Sequence, residues 1–177
     1  MLKKILLAFS LLMCFAFLAG CSSGNIGDET TEPLDKIISG VLKKNAAVYK
    51  SAFPPDYIAE VEKAFRIVGN DIDQELENTF ASAAEVLEAN YGKKVKINYR
   101  QVSKTAMTTE DLTEKYWDLF INDYSIPVDR ITEAYKESIE ITIKGSENQE
   151  TITAAFKFLK IDGKWYIHPE SFMYVFN

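Results

Sequence analysis

The chain has 177 residues, 47% of them hydrophobic and 26% charged, a length that suits one domain around one core. It carries 20 Lys and Arg against 26 Asp and Glu; loss of Lys3 and Lys4 with the leader described below leaves 18 against 26, a net charge of −8. That balance argues against nucleic acid as the main partner, because such binding rests on cations neutralising phosphates, and against a basic membrane-binding surface.

Met1-Leu2-Lys3-Lys4 gives a positive start, and Ile5 to Ala19 is an almost wholly apolar run of 15 residues. A spanning helix needs about 20 apolar residues, so the run reads as a secretory leader over residues 1–20 rather than a permanent anchor. Leu18-Ala19-Gly20-Cys21 resembles the bacterial lipobox, in which the cysteine thiol receives a diacylglyceryl group and the leader is cut just before it. A peptidase cleft of that kind accepts only small residues ahead of the cut, and the thiolate is the acyl acceptor. Cys21 is therefore the expected lipidation site, and its two acyl chains hold a protein on a membrane where one would not. Cys14 leaves with the leader, so the mature domain has no thiol for a disulfide, a nucleophile or a cysteine-ligated metal. Ser22 to Pro33 is polar and short of apolar residues, which predicts a lipidated flexible tether over 21–33 with a span of about 20 Å and a single folded domain over 34–177.

Helical periodicity begins with Leu34, Ile37, Ile38, Val41 and Leu42, and continues through Val48, Tyr49 and Phe53 as one helix, ended by Pro54-Pro55. Pro55-Asp56 opens a second helix with a stripe of Tyr57 or Ile58, Val61, Phe65 and Val68. Gly69-Asn70 breaks it; Asn70 is the expected cap of a third, with Ile72, Leu76, Phe80, Ala83, Leu87 and Tyr91 along one face until Gly92.

The period then changes to two. Val95, Ile97 and Tyr99 alternate with polar residues as a half-buried strand, and Thr108 or Thr109 caps a helix carrying Leu112, Tyr116, Trp117, Leu119, Phe120 and Ile121, with Ile126-Pro127 beyond its end. Ile139, Ile141 and Ile143 form a strand that returns as Ile152, Ala154, Phe156 and Phe158. Asp162-Gly163 is a type I′ hairpin signal, which sets Phe158 opposite Ile167, Lys160 opposite Trp165, Leu159 opposite Tyr166 and Lys157 opposite His168. By parity, Phe156, Phe158, Trp165 and Ile167 face the helices. Thr151, Thr153, Lys157 and His168 face outward, and Leu159, Ile161 and Tyr166 make an outer apolar patch. The expected architecture is α+β, with N-terminal helices on one face of a four-stranded antiparallel sheet.

That order of elements, closed by Leu159-Lys160-Ile161-Asp162-Gly163-Lys164-Trp165-Tyr166-Ile167 and with a corner at Phe53-Pro54-Pro55-Asp56-Tyr57, resembles the cystatin-like and nuclear transport factor 2-like lipoproteins of Gram-positive bacteria. The resemblance implies a sheet-helix cone on a cell-surface, extracytoplasmic domain. It carries no single activity, since the wider fold family hosts enzymes, ligand binders and dimerisation modules. Enzymes of that fold pair Asp with His in the cone, whereas no Asp falls on the predicted core face here.

Candidate chemistry is sparse. His168, the single histidine, reads as a solvated strand-end residue. Asp71-Ile72-Asp73-Gln74-Glu75 alternates acids like a calcium loop, but Leu76 stands where that loop needs Gly, and acids suit a helix start; no metal or other cofactor is expected. The candidate binding residues are Tyr135, Glu137, Lys160 and Trp165. Lys160 is a charge on an otherwise apolar face opposite Trp165, and a four-residue preceding loop is taken to put Tyr135 opposite Lys160 with Glu137 one step away. Either these make a solvated edge with a Lys160–Glu137 ion pair, or they ring a ligand mouth. The function read from this is a non-enzymatic lipoprotein that binds a small ligand or an envelope partner. The alternatives are a small-molecule isomerase or cyclase in the cone, and a module that forms homodimers through Leu159, Ile161 and Tyr166.

Overall fold

The computed structural model describes residues 26–108, 111 and 128–172. The leader, Cys21, the start of the tether, and the helix expected from Leu112 to Ile121 lie outside the described residues. Helix α1 spans Glu32–Leu42, α2 Ala46–Lys50, α3 Pro55–Ile67 and α4 Ile72–Tyr91. Strands β1 (Lys96–Ala106), β2 (Ile131–Lys144), β3 (Gln149–Ile161) and β4 (Lys164–Ile167) form one antiparallel sheet in the order β1-β2-β3-β4. The domain is α+β, with α1 to α4 N-terminal to the strands.

The first helix is two. Lys44 takes a left-handed turn at φ 50°, and the Asn45 side chain then accepts the Val48 N–H at 2.9 Å, capping α2. Gly40 permits the elbow: a Cβ there would lie 2.7 Å from the Tyr49 backbone nitrogen. The apolar faces otherwise match their periodicity. Leu34, Ile37, Ile38 and Val41 are buried on α1, and all six stripe residues from Ile72 to Tyr91 are buried on α4. On α3, Tyr57, Val61 and Phe65 are buried, whereas Val68, one residue past the helix end, is exposed. Asp71 rather than Asn70 caps α4, accepting the Asp73 N–H at 2.8 Å. Asp73 pairs with Lys50 at 2.6 Å, so the alternating acids there serve a helix start and an ion pair. Among the described residues no group of acids, His or Cys could hold a metal. Thr108 and Asp111 bond reciprocally, Asp111 Oδ2 accepting the Thr108 N–H at 2.6 Å and Thr108 Oγ1 accepting the Asp111 N–H at 3.2 Å, the bonding pattern of a capping box.

The β3–β4 hairpin has the expected geometry, with Asp162 at φ 50° and Gly163 at φ 76°, and all of its strand pairs fall in the expected register. Arg130 bonds Asp162 in this turn and, at 3.1 Å, Asp56 at the start of α3, tying sheet to helices. The β2–β3 loop is four residues long, between Lys144 and Gln149, and that length pairs Tyr135 with Phe158 and Glu133 with Lys160. The expected pairing of Tyr135 with Lys160 was therefore two residues off, which preserves the face and changes the neighbour.

Three further expectations are corrected. The fold begins before Leu34: the Ile26 N–H donates to the Tyr99 carbonyl at 3.0 Å, Glu29–Thr31 forms a 3-10 turn capped by Asp28, and Thr30 and Thr31 are buried, so residues 26–33 belong to the domain rather than to a flexible tether. His168 is buried, not solvated. Beyond β4 the chain turns back over the outer face of β3 through Pro169–Phe172, where the Glu170 N–H donates to His168 Nδ1 at 3.2 Å, and Lys157 donates its N–H to Ser171 Oγ and its ammonium to Glu170. Leu159 and Ile161, on that same face, are buried as well, and Tyr166 is half-buried, so the exposed apolar patch expected for dimerisation is not present.

Candidate functional site

The core face of the sheet changes character along its length. Ile139, Ile141 and Ile143 on β2 are buried, but the same face then presents Glu137, Tyr135 and Glu133. On β1 the face carries Ile97, Tyr99 and Gln101. A bulge at Val102, unpaired between Gln101 and Ser103, then advances the alternation by one and places Lys104 opposite Glu137. Without the bulge, Lys104 would share the outer face of Lys96 and Arg100.

Three of the four candidate binding residues gather as expected. The Tyr135 and Trp165 rings lie 5.8 Å apart, and the Lys160 ammonium sits 5.2 Å from the Trp165 ring centre. Lys104 completes the group from the other side, 4.1 Å from the Tyr135 ring centre and 5.9 Å from that of Trp165. Trp165 is 4% exposed, and its indole N–H has no acceptor among the described residues.

Glu137 does not pair with Lys160. The Lys160 ammonium donates to Glu133 at 2.7 Å, with Glu29 at 3.9 Å, and Glu133 holds it above its ordinary pKa. Glu137 is fully buried one step further in, where Oε1 meets the Thr30 hydroxyl, Oε2 accepts from Gln101 Nε2 at 2.9 Å, and Lys104 stands 3.9 Å away. Burial pushes its carboxyl up; the Thr30 bond, the Lys104 charge and the Gln101 amide offset this only in part, and the Asp28 charge adds to it. Asp28 goes the other way. Partial burial opposes its ionisation, but the Lys104 ammonium at 2.7 Å and the Thr30 hydroxyl and N–H hold it down at about 2. Tyr99 is driven up by burial and offers its hydroxyl to Thr31 Oγ1 at 3.2 Å.

The segment Asp28–Thr31 thus straps this end of the sheet, one contact after another: Asp28 on Lys104, Glu29 near Lys160, Thr30 on Glu137 and Thr31 on Tyr99. Sequence reasoning missed the strap, Lys104, Gln101 and Glu133. Asp28 followed by a Pro at position 33 is a helix-start signal that could have shown the strap to be folded. Nothing in the spacing announces the bulge that turns Lys104 inward.

A cleft of about 500 Å³ lies elsewhere, lined by Lys50, Glu62, Arg66 and residues 69–73, and is crossed by the Lys50 ion pairs to Glu62 and Asp73. Among the described residues no helix is long and apolar enough to cross a membrane. Comparison with family models, with curated proteins and with solved structures finds no match.

Proposed function

We propose that this chain is an extracytoplasmic lipoprotein of the Gram-positive, cystatin-like or nuclear transport factor 2-like kind, tethered through Cys21, whose domain is a non-enzymatic binding module. Its ligand, a small molecule or a segment of an envelope partner, sits at the Tyr135–Trp165 end of the sheet. The supporting observation is the Trp165 indole N–H, withdrawn from water without an acceptor among the described residues while two ammoniums and a Tyr ring surround its ring system. A buried donor left unpaired costs free energy that an acceptor on a ligand would recover, and aromatic faces flanked by cations suit a polar ligand with an apolar body.

The test uses Trp165 as its own reporter in a Trp117→Phe background. Saturable fluorescence change on titration with fractionated envelope extract, lost in Lys160→Ala while the melting transition is kept, is the expected result. An unresponsive Trp165 across all fractions would remove the binding reading.

A second reading, an isomerase or cyclase, has Glu137 in its favour, a buried carboxyl with its pKa raised and Tyr135 two residues away on the same face. Both of its oxygens already accept hydrogen bonds, so proton abstraction from a substrate would require the strap or Gln101 to move first. Turnover that Glu137→Gln abolishes without loss of binding would favour this reading over the first.

A further inference from the structure

We infer that the outer edge of β1, with Ile26 and Val102, is the side of the domain that rests on the bilayer; this builds on the reading of Cys21 as the lipidated residue. The first reason is covalent. Five peptide links separate Cys21 from Ile26, and five links reach at most about 18 Å. Ile26 is fixed to β1 on both sides, donating its N–H to the Tyr99 carbonyl and accepting the Gln101 N–H at 2.8 Å. The domain therefore does not swing on a long tether. The point where the anchor enters the fold is the β1 edge, the outermost strand of the sheet on that side.

The second reason is what that edge presents. Ile26 and Val102 are 64% and 52% exposed, and they are neighbours: Ile26 bridges to Arg100, and the bulge turns Val102 out of the ladder two residues later. Isolated exposed apolar residues are ordinary, but two side by side at the anchoring point are suited to the headgroup–acyl boundary.

The third reason is charge. Residues 89–109 hold Lys93, Lys94, Lys96, Arg100 and Lys104 and no acid, in a chain whose net charge is −6; Arg100 pairs with Glu140 at 3.0 Å and Lys104 with Asp28 at 2.7 Å, so Lys93, Lys94 and Lys96 carry the attraction. The overall acidity hides a local segregation, with the cations collected at and just before β1. A surface of anionic headgroups attracts such a run within a Debye length, about 8 Å at physiological salt, which the short link to Cys21 makes attainable.

The experiment uses the full-length, acylated protein reconstituted in phosphatidylglycerol vesicles containing doxyl-labelled lipid. Acylation blocks Cys21 and Cys14 leaves with the leader, so a cysteine introduced at Ile26 is the sole site for a bimane probe. Ile67, on α3 and equally exposed at 64%, is the matched comparison. Lipid-borne quenching severalfold stronger in Ile26→Cys than in Ile67→Cys is the expected result, and Val102→Cys should reproduce it should the Ile26 variant fold poorly. Equal quenching at both positions, or stronger quenching at Ile67, overturns the orientation while leaving the lipoprotein reading intact. Absence of a metabolic fatty-acid label on the protein overturns the lipoprotein reading itself, and the orientation with it.

Discussion

Thr30 and Glu137, 107 residues apart in the chain, meet as hydroxyl and carboxylate in the buried end of the sheet. The same hydroxyl also lies against Asp28, and it has one proton for two carboxylates. Thr30 is the donor to both, so Asp28 and Glu137 compete for that single proton. Burial is what raises the Glu137 carboxyl, against the Thr30 bond, whereas at Asp28 the Lys104 ammonium and Thr30 outweigh a partial burial. Because Glu137 is raised in the fold, its contribution to stability is complete below the unfolded value near 4.5 and is lost as pH rises through the folded value. Glu137→Gln keeps a donor for Thr30 and an acceptor for Gln101 without a charge. It should be more stable than wild type by about 1 kcal/mol at pH 7, with the gap closing toward pH 4.5. Urea denaturation across that range measures it, and a gap that widens on acidification would contradict the assignment.

His168 tilts the profile the other way. Burial and then the Lys157 charge depress its pKa well below the ordinary 6.5, so the fold holds it neutral. Its stabilising contribution is present above pH 6.5 and is lost as pH falls, at about 1.4 kcal/mol per pH unit while only the unfolded chain takes up the proton. From pH 4.5 up to the raised folded value of Glu137, this slope opposes that of Glu137. His168→Phe should therefore become more stable on acidification through this window, and Glu137→Gln less stable, around a flatter wild type. Parallel slopes in the two variants would refute the burial account of one or both.

A domain cut at Leu34, where the apolar periodicity begins, lacks the Ile26 backbone bonds, the Thr30 partner of Glu137 and the Thr31 partner of Tyr99. Residues 34–177 should unfold at lower urea than residues 26–177, by about 3 kcal/mol or more, because the Ile26 bonds to β1 are lost and Glu137 Oε1 loses its hydroxyl donor in a buried site. Equal midpoints would show that the strap is an appendage.

What the sequence made legible was whatever period and turn chemistry encode. The α4 stripe, the alternation of Ile139, Ile141 and Ile143, and the Asp162-Gly163 turn each follow from local rules, and each is where those rules put it. The outward assignment of His168 failed because parity names a face and not what covers it; the Pro169–Phe172 turn returns over β3 by contacts that no local rule specifies. The candidate site was half legible for the same reason. Lys160 and Trp165 meet through a two-residue turn, whereas Lys104 arrives by way of a bulge and Thr30 by way of a long-range hydrogen bond.

Cys21→Ala tests the membrane assignment at its chemical origin. The thiol is the acyl acceptor, and Cys14, preceded by Met13, lacks the small residues that a lipobox needs before the cut. The variant should lose all fatty-acid label and appear as uncleaved precursor or released protein. Label retained on it would place lipidation elsewhere.

Gly163 isolates backbone conformation from packing. It stands at φ 76°, and a Cβ built there meets nothing within 4 Å, so any cost of substitution comes from the left-handed backbone alone. Gly163→Val, β-branched, should destabilise the domain by about 1 to 3 kcal/mol, while Gly163→Asn, whose side chain tolerates that region, should cost well under half as much. The same turn positions Trp165 opposite Lys160, so the valine variant should also alter the Trp165 emission in a Trp117→Phe background before global unfolding, and the asparagine variant should not. Thermal melts followed at Trp165 read both effects at once. If Val and Asn prove equally harmful, the cost is steric rather than conformational, and the type I′ geometry that sets the register of the hairpin is wrong.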